Sequence, residues 1–235
     1  MLLEICSNSY QSVKNAQIAG AKRIELCSEL SIGGITPSYG LIKQVIDKLD
    51  IETFVLIRPR SGNFFYSEAE FEIIKKDIQI CKELGCHGIV SGVLKKDNTI
   101  DIERTQELIE LSKPLPFTFH RAFDVVPNPE IALEQLIDLG VDRILTSGQH
   151  PKAINGLETL KALKQQARNR IIILAGSGVS SENTMTFKNA GFDEIHASAS
   201  QVINTESSSY FGNTPQTVSS IKEIKAILKV IADEV

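Results

Sequence analysis

The stretch Gly140-Val141-Asp142-Arg143-Ile144-Leu145-Thr146 decides the fold, because the chain uses its pattern four times. A glycine is followed by three residues and then by an isoleucine within a short apolar run, and the other copies begin at Gly20, Gly85 and Gly191. Glycine commonly ends a helix, and a short apolar run is typical of a strand that is buried on both faces. Each copy therefore predicts a helix end, a turn and a strand.

The four copies fall on every second one of eight predicted strands. These strands are residues 2–6, 23–27, 53–58, 88–91, 117–121, 143–146, 171–175 and 194–198. Two helical stripes are clear between and after them, at residues 71, 74, 78, 81 and 84 and at residues 218, 221, 224, 227 and 231. Alternating strands and helices predict a parallel sheet, and a βαβα unit used four times favours a closed (β/α)8 TIM barrel over an open sheet. We expect one α/β domain over residues 1–235; the plainer interpretation is that the glycine pattern is only a generic connection from helix to strand.

Composition excludes several classes of protein. The chain has 235 residues, of which 42% are hydrophobic and 23% charged, and its formal net charge is −4. These values are typical of a globular protein and not of one that binds nucleic acid or an anionic membrane surface. No apolar run approaches the roughly 20 residues that cross a bilayer, and residues 1–6 predict a strand and not a signal peptide. The four cysteines have no framework spacing, which indicates reduced thiols and a cytoplasmic location.

The repeat also predicts which side chains point into the barrel. If the shared isoleucines at positions 24, 89, 144 and 195 face the helices, their neighbours face the interior by the two-residue period of a strand. The inward layers of the even strands are then Glu25, Val90, Leu145 and His196, followed by Cys27, Gly92, Ser147 and Ser198, and the odd strands add Glu4, Cys6, Arg58, Thr118 and His120. So many ionisable groups indicate either a self-neutralising ion-pair cluster, because buried charge is costly unless it is paired, or a polar site at the carboxyl ends of the strands, where the sites of such barrels lie.

Candidate catalytic groups cluster at the end of the fifth predicted strand. Residues 117–124 read Phe-Thr-Phe-His-Arg-Ala-Phe-Asp and present His120, Arg121 and Asp124 within five residues. Histidine titrates near neutral pH and arginine binds carboxylate or phosphate, so these three residues are candidates for acid–base chemistry together with Glu25 and Arg58. We expect His120 to point inward and Arg121 to act from the strand's end with Asp124 as its partner. Arg58 either serves an anionic ligand or neutralises an interior carboxylate.

A candidate anion site follows the seventh predicted strand. Gly176, Ser177 and Gly178 precede a predicted helix that opens at residues 180–182, and Ser198 ends the eighth strand. Glycines and a helix N-terminus offer backbone N–H groups to an anion, and the loops after the seventh and eighth strands are the usual phosphate site of this fold. A plain turn is the competing interpretation.

Two cysteines form a candidate metal site. Cys6 and Cys27 end the first and second predicted strands in matching inward positions. Neighbouring strands lie about 4.8 Å apart, so the two thiols can jointly bind a soft ion such as Cu(I). The alternative is that both are small buried hydrophobic side chains. Further along the chain, the polar and serine-rich residues 201–215 predict either a mobile lid or a flexible surface segment.

The chain resembles the CutC family of copper homeostasis proteins almost from end to end. The resemblance rests on residues 3–6 (Leu-Glu-Ile-Cys), 23–27 (Arg-Ile-Glu-Leu-Cys), 33–38 (Gly-Gly-Ile-Thr-Pro-Ser), 57–60 (Ile-Arg-Pro-Arg), 92–94 (Gly-Val-Leu), 118–124 (Thr-Phe-His-Arg-Ala-Phe-Asp) and 145–149 (Leu-Thr-Ser-Gly-Gln). It implies a cytoplasmic (β/α)8 barrel, often a homodimer, that binds copper through cysteines similar to Cys6 and Cys27. The chain departs from the family pattern at Ile32, where an acid is usual before the glycine pair, and at residues 61–63, which read Ser-Gly-Asn where Gly-Gly-Asp is usual.

Two functions follow as hypotheses. In the first, the protein handles copper, and Cys6 and Cys27 bind Cu(I) with His120 or His196 as a third donor. In the second, it is an enzyme that acts on a small phosphorylated or carboxylated metabolite: the candidate anion site holds the substrate, the arginines neutralise it, and Glu25 or His120 moves a proton. The expected partners are therefore a copper ion or a small anionic metabolite, and neither nucleic acid nor a membrane.

Overall fold

The computed structural model describes residues 1–204, 207–208, 212–213 and 215–232. Eight strands form the barrel: β1 (Leu2–Ser7), β2 (Arg23–Leu26), β3 (Glu52–Leu56), β4 (Gly88–Ser91), β5 (Phe117–Phe119), β6 (Arg143–Thr146), β7 (Ile172–Gly176) and β8 (Glu194–Ala197). The α-helices of the described ranges are α1 (Tyr10–Ala19), α2 (Tyr39–Lys48), α3 (Glu68–Glu83), α4 (Ile102–Ser112), α5 (Pro129–Asp138), α6 (Leu157–Ala167), α7 (Thr184–Asn189) and α8 (Ile221–Ala232). Short 3₁₀ helices at Leu30–Ile32 and Arg121–Val125 follow β2 and β5, and the small strands β9 (Ser200–Asn204), β10 (Ser207–Ser208), β11 (Gly212–Asn213) and β12 (Gln216–Ser219) lie between β8 and α8. Within these ranges, no helix has both the length and the apolar character needed to cross a membrane.

The strands close into a barrel because β1 pairs in parallel with both β2 and β8. The register places Cys6 beside Glu25 on β2, and Glu4 beside His196 on β8. All eight neighbouring pairs are parallel, so the predicted (β/α)8 barrel is confirmed. The closure of the barrel therefore brings four ionisable groups onto one wall of the interior: Glu4 and Cys6 of β1, Glu25 of β2 and His196 of β8.

The two faces of the strands are those that the repeat predicts. The shared isoleucines are fully buried in the large apolar layer between strands and helices: Ile24, Ile89, Ile144 and Ile195. A second, smaller apolar cluster fills part of the barrel interior and consists of Cys6, Cys27, Phe54, Leu56 and Val90. The outward direction of the isoleucines and the inward direction of Cys6, Cys27 and Val90 are therefore confirmed.

Strand ends agree with the sequence prediction within two residues, but β5 ends early. It stops at Phe119 and not at residue 121. The reason is local, because His120 caps the 3₁₀ helix Arg121–Val125 by accepting the backbone N–H of Ala122 at Nδ1 (3.3 Å). His120, which the sequence predicts to lie on a strand, is thus the N-cap of a 3₁₀ helix.

Three predictions about the segments outside the barrel strands need correction. Val218 lies in β12 and not on the stripe of the last helix, which begins at Ile221. The helix expected to open at residues 180–182 begins at Thr184 and is 6 residues long. Residues 201–204, expected to belong to a lid or a flexible segment, pair as part of β9 with β12 in an antiparallel ladder. Residues 205–206, 209–211 and 214 of that segment lie outside the described residues.

A row of alternating charges occupies the barrel interior. Its members, called the buried charge chain below, are in order Arg143, Glu194, Arg23, Glu4 and His196. Arg143 Nε lies 3.0 Å from Glu194 Oε2, Arg23 pairs with Glu194 on one side and with Glu4 on the other (Nε to Oε2, 2.6 Å), and Glu4 Oε1 lies 2.8 Å from His196 Nδ1. The buried charge chain is therefore an ion-pair cluster, but it shares only Glu4 and His196 with the cluster that the sequence predicts. The other three expected members, Glu25, Arg58 and His120, form no ion pair in the described residues.

The aromatic ring of Phe54 packs against this chain. Its centroid lies 5.0 Å from Arg23 Cζ and 5.1 Å from Arg143 Cζ, within the range of a cation–π contact. Gly88 leaves the space for the ring, because a Cβ atom there would lie 2.6 Å from it. The aromatic ring and the two guanidinium groups thus fill the interior where glycine replaces a side chain.

Replacing Arg23 by methionine should strongly destabilise the protein. The change keeps much of the side-chain volume but leaves Glu4 and Glu194 buried with too little positive charge, which costs about 3–5 kcal/mol of unfolding free energy. Urea titration measures this loss. Lys43→Met, which removes an exposed pair with Asp47 (2.9 Å), is the matched control and should change the stability by less than about 1 kcal/mol. An Arg23→Met protein as stable as the wild type would contradict the role given to the buried charge chain.

Candidate functional site

A cavity of about 450 Å³ opens at the carboxyl ends of the strands. Its volume is in the range of small-molecule sites. Most residues predicted for the site line it, namely Cys6, Glu25, Arg58, His120, Arg121, Asp124, Ser177, Gly178 and Ser198. The structure therefore brings the candidate acid–base residues, one candidate metal ligand and most of the candidate anion site into one place.

Two predicted site residues, Cys27 and Gly176, do not line the cavity. Cys27 is fully buried, and Gly34 passes close to it, since a Cβ atom at Gly34 would lie 3.4 Å from Cys27 Cβ. At Gly176 a Cβ atom would lie 2.6 Å from Leu145 Cδ1 and 3.1 Å from His196 Cβ. Gly176 thus makes room for two cavity side chains and is not itself placed to bind an anion.

Glu25, on β2, is a carboxyl group on the cavity wall with 4% of its surface exposed. Its Oε1 accepts a hydrogen bond from Cys6 Sγ (3.6 Å), and its Oε2 has no partner among the described residues. Burial raises the pKa of Glu25 to about 7; the positive charge of His196 opposes this shift and the negative charge of Glu4 adds to it. Glu25 therefore changes its protonation state near neutral pH.

His196, on β8, joins the cavity to the buried charge chain. Burial alone would lower the pKa of His196, but its hydrogen bond to Glu4 and the negative charges of Glu25 and Glu4 outweigh burial and raise it. For Glu4 the balance is the reverse: burial would raise its pKa, yet the hydrogen bond and charge of His196 and the charge of Arg23 lower it. Glu4 is thus held ionised, with the Nδ1 side of the imidazole directed towards it.

Cys6, near the end of β1, and Cys27, the residue after β2, are adjacent thiols. Their Sγ atoms are 3.7 Å apart, and neither forms a disulfide. Cys6 Sγ and one donor atom each of Glu25 and His196 lie within 4.8 Å of one another, and this is the group in the described residues that could hold a metal ion. The hydrogen bond with Cys27 and burial raise the pKa of Cys6 well above its ordinary value, with nearby negative charge adding to the shift. Cys6 is therefore a neutral thiol unless a cation offsets these effects.

Arg58 is held by carbonyl groups and not by a carboxylate. It donates from Nη1 to the carbonyl oxygens of Ile32 (3.1 Å) and Gly34 (2.8 Å) and from Nη2 to that of Gly62 (3.0 Å). Its Cζ lies 5.0 Å from the ring centroid of Phe64. Because no described carboxylate forms an ion pair with it, the expectation that Arg58 neutralises an interior carboxylate is wrong.

His120 points into the cavity although its strand ends before it. Its ring packs against Phe64 with 4.9 Å between the ring centroids, in space left by Gly92, where a Cβ atom would lie 2.6 Å from Nδ1. Burial lowers the pKa of His120 to about 3, and the positive charge of Arg58 contributes to the shift. His120 is therefore a neutral ring at physiological pH and does not change its charge there.

Asp124 connects the 3₁₀ helix after β5 to the loop after β6. Its carboxylate accepts hydrogen bonds from Thr146 Oγ1 (2.5 Å), from Ser147 N (3.0 Å) and Oγ (2.9 Å), and from Arg121 Nε (2.7 Å). The contact between Arg121 and Asp124 is the one that the sequence predicts. Since both carboxylate oxygens have donors, Asp124 positions Arg121 and the loop and does not offer a free acid or base.

The candidate anion site after β7 is formed only in part. The Ser177 hydroxyl donates to a carbonyl oxygen of the loop after β6 (2.8 Å). The backbone N–H of Ser181 donates to Glu223 Oε1 on α8 (2.7 Å). These donors are used inside the protein, so an anion in this loop would depend on Gly178 and Ser198, which line the cavity.

The apolar part of the cavity does not follow from the sequence patterns. Leu30, Ile32, Phe64 and Val125 line it, and all four lie outside the barrel strands. Ile32 and Val125 are large hydrophobic side chains with 47% and 48% of their surface exposed. Strand and helix periodicity carries no information about such positions, and a single apolar residue in a loop is common in proteins of any function.

The fold and the cavity together define a (β/α)8-barrel protein with a cavity at the carboxyl ends of its strands, where the sites of such barrels lie. The chain belongs to the CutC family, whose model matches residues 1–201.

Three relatives illustrate this membership. The chain is 47% identical over 199 residues to the CutC family protein of Pasteurella multocida, over 84% of this chain and 82% of that protein. It is 46% identical to the copper homeostasis protein CutC homologue of Homo sapiens, over 84% of this chain and 73% of that protein. The crystal structure of CutC from Streptococcus agalactiae has a TM-score of 0.79 at 37% identity and covers 84% of this chain and 98% of that chain. An aldolase, QR15, with a TM-score of 0.66 and 16% identity, is similar in fold alone.

Glu25→Gln should remove a pH-dependent loss of stability. The pKa of Glu25 is about 7 in the folded protein, above the 4.5 of an ordinary glutamate. The stability that this raised pKa provides is fully present below the ordinary value and is lost as the pH rises through about 7. Glutamine stays neutral, so the stability of the variant relative to the wild type should increase by on the order of 1–3 kcal/mol between acidic and mildly alkaline buffer.

Urea titrations of both proteins across that range measure the difference. Glu182→Gln, at an exposed glutamate, is the matched control and should track the wild type. A Glu25→Gln curve parallel to that of the wild type at all pH values would show that folding does not raise the pKa of Glu25.

Proposed function

We propose that the protein binds one Cu(I) ion between Cys6 and Cys27. The observation that carries this proposal is the 3.7 Å separation of the two Sγ atoms, with donor atoms of Glu25 and His196 within 4.8 Å of Cys6 Sγ. Thiolate ligands select soft ions such as Cu(I). The name of the human relative, a copper homeostasis protein homologue, supports the same function.

The surroundings of the thiols favour His196 over His120 as a third donor. Glu4 lies at Nδ1 of His196 (2.8 Å), and a carboxylate at one ring nitrogen orients the other towards a metal ion. His120 has the opposite arrangement, because a backbone N–H donates to its Nδ1 and its proton therefore sits on Nε2. The ion must also displace the proton of Cys6, whose pKa is raised by Cys27 and by burial, so the affinity for Cu(I) should rise with pH.

Cys27→Ser should weaken Cu(I) binding by more than about tenfold, because one of two soft ligands is lost. Titration of the reduced protein with Cu(I) against a competing chelator measures the affinity. Cys86→Ser, at a buried cysteine before β4, is the matched control and should bind like the wild type. Equal affinities of Cys27→Ser and wild-type protein would refute the proposal.

A second candidate function is acid–base catalysis on a small phosphorylated or carboxylated metabolite. It is favoured by a specific observation, namely that the buried carboxyl group of Glu25, with a pKa of about 7, lines a cavity of about 450 Å³. A pKa near the working pH is typical of a general acid or base. Arg58 and Arg121 are the cations on the cavity wall that would neutralise the substrate, and Gly178 and Ser198 would contribute to binding an anion.

Glu25→Gln should abolish this activity. In D₂O, the wild type would exchange a carbon-bound proton of its substrate for deuterium, at a rate that rises as the pH passes about 7 and Glu25 becomes a base. Loss of such a base lowers the rate by about 10²–10⁴-fold. Mass spectrometry of a mixture of small carboxylates and sugar phosphates detects the exchange, with Glu182→Gln as the control. Exchange by Glu25→Gln at the wild-type rate would show that Glu25 is not the base in this reaction.

We also propose that the protein is a single-domain, cytoplasmic homodimer. The free state of its four cysteines suits a reducing compartment. Large hydrophobic side chains that are more than half exposed, such as Tyr39 and Ile131, are available for a subunit interface. Light scattering distinguishes a dimer from a monomer of 25.9 kDa.

A further inference from the structure

Three buried polar atoms of the cavity residues lack a hydrogen-bond partner. They are Glu25 Oε2, Arg58 Nε and His120 Nε2, and they stand out among the unpaired buried side-chain atoms of the described residues because all three residues line the cavity. Buried polar atoms are hydrogen-bonded in the great majority of cases, and each exception requires an explanation. Three exceptions around one cavity indicate that a ligand supplies the missing partners.

The tautomer of His120 makes its free nitrogen a hydrogen-bond donor. The backbone N–H of Ala122 donates to Nδ1 at 3.3 Å, so Nδ1 carries no proton. A neutral imidazole then holds its single proton on Nε2. Burial, together with the charge of Arg58, lowers the pKa of His120 to about 3, so the ring is neutral. The Nε2–H group therefore requires an acceptor such as an oxygen atom.

Arg58 carries a buried charge without an opposite charge beside it. Its side chain donates to three carbonyl oxygens, which are neutral, and no carboxylate of the described residues forms an ion pair with it. The residue is only 6% exposed. A buried charge is costly unless it is paired, so the missing partner at Arg58 is an anion.

The ring of Phe64 packs against both donor side chains, Arg58 and His120. The guanidinium carbon of Arg58 lies 5.0 Å from the ring centroid of Phe64, and the ring of His120 lies 4.9 Å from it. Gly33 and Gly92 provide the space, because a Cβ atom would lie 3.3 Å from Arg58 Nη1 at the first and 2.6 Å from His120 Nδ1 at the second. We call the part of the cavity formed by Arg58, Phe64 and His120 the donor corner.

Apolar side chains adjoin the donor corner. The carbonyl oxygen of Ile32 accepts a hydrogen bond from Arg58 Nη1 (3.1 Å), and Val125 ends the 3₁₀ helix that His120 caps. Both side chains line the cavity, with 47% and 48% of their surface exposed. A hydrocarbon group bound there would remove this apolar surface from water, which is favourable.

We propose that the donor corner binds a small molecule that carries a carboxylate group and a short apolar chain. The carboxylate oxygens accept hydrogen bonds from His120 Nε2–H and Arg58 Nε–H, and the chain packs against Ile32 and Val125. This inference names the substrate class of the catalytic function proposed above and rests on it in using the same cavity, but it does not require Cu(I). The site lies beside the loops after β3 and β5, separate from the candidate anion site after β7.

Butyrate is the probe, and butyramide is its neutral isostere. NMR spectra of the ¹⁵N-labelled full chain, with the His120 signals assigned from the His120→Gln variant, report the proton on each ring nitrogen. We expect a proton on Nε2 and none on Nδ1 in the free protein. Butyrate should shift the Nε2 signal with a dissociation constant on the order of millimolar, as its size allows. Butyramide should bind at least about tenfold more weakly, because it lacks the charge that matches Arg58.

Variants at Ile32 test the charge without disturbing buried groups. Ile32→Glu supplies a carboxylate next to Arg58 from the protein itself, and it should bind butyrate at least about tenfold more weakly than Ile32→Gln does, while the two variants should bind butyramide alike. Ile32→Gln, with the shape of Ile32→Glu and no charge, is the matched control, and because both variants lose the apolar contact of Ile32, the difference between them reports the charge alone. Both changes are at a half-exposed side chain, so the fold should tolerate them.

A second control tests the tautomer argument. His87 also accepts a backbone N–H at Nδ1, from Thr53 (3.1 Å), but it is exposed and is not a cavity residue. His87→Gln should leave butyrate binding unchanged. The NMR signals of His87 should not respond to butyrate.

Several results would overturn the proposal. These are a proton on Nδ1 of His120, butyrate binding that does not move the Nε2 signal, equal affinities for butyrate and butyramide, or no butyrate binding. Butyrate binding without any deuterium exchange would support the donor corner as a binding site and contradict the proposed catalytic function. Deuterium exchange by a protein that does not bind butyrate would contradict the donor corner as a binding site and support the proposed catalytic function.

Discussion

The chemistry of the cavity depends on one constraint, which is that the charges inside the barrel must remain paired. The buried charge chain meets this constraint with alternating signs, and Arg23, with 1% of its surface exposed, pairs with a glutamate on each side. Because Glu4 is held ionised, its other oxygen holds His196 at the end of the chain. Glu25 is the next carboxyl group, and it has no arginine of its own. Its protonation near neutral pH therefore follows from where the buried charge chain ends.

The two proposed functions share atoms at this point. Cys6 contacts both Cys27 and Glu25, so a cation bound to the thiols would favour the ionised form of Glu25 over its neutral acid form. Copper binding and proton transfer would thus be linked, each changing the conditions for the other. The donor corner stands apart from this linkage, because neither Arg58 nor His120 contacts the thiols through a hydrogen bond in the described part of the chain.

The sequence predicts the regular part of the molecule well and the loops poorly. The glycine–isoleucine pattern predicts the barrel, the outward isoleucines and the inward direction of Glu25 and His196, because strand periodicity determines all of these. The same period directs Arg23, Arg143 and Glu194 inward one layer earlier, so the positions of these buried charges also follow from the strand pattern. The partners of Arg58 are three carbonyl oxygens of loops, and the tautomer of His120 depends on a 3₁₀ turn, so neither follows from residue types along a strand. Conversely, the predicted pairing of Arg121 with Asp124 needed only their three-residue separation.

The contact of Phe54 with two guanidinium groups limits how a ligand can reach the interior of the barrel. The ring fills the interior beside Gly88 and is fully buried, so side chains pack the barrel interior at this layer. A ligand that reaches Glu25 therefore enters through the cavity at the carboxyl ends of the strands. It must leave by the same route before a second ligand can bind. A copper ion, a metabolite and the protons exchanged with either would therefore all pass through the same opening of the cavity.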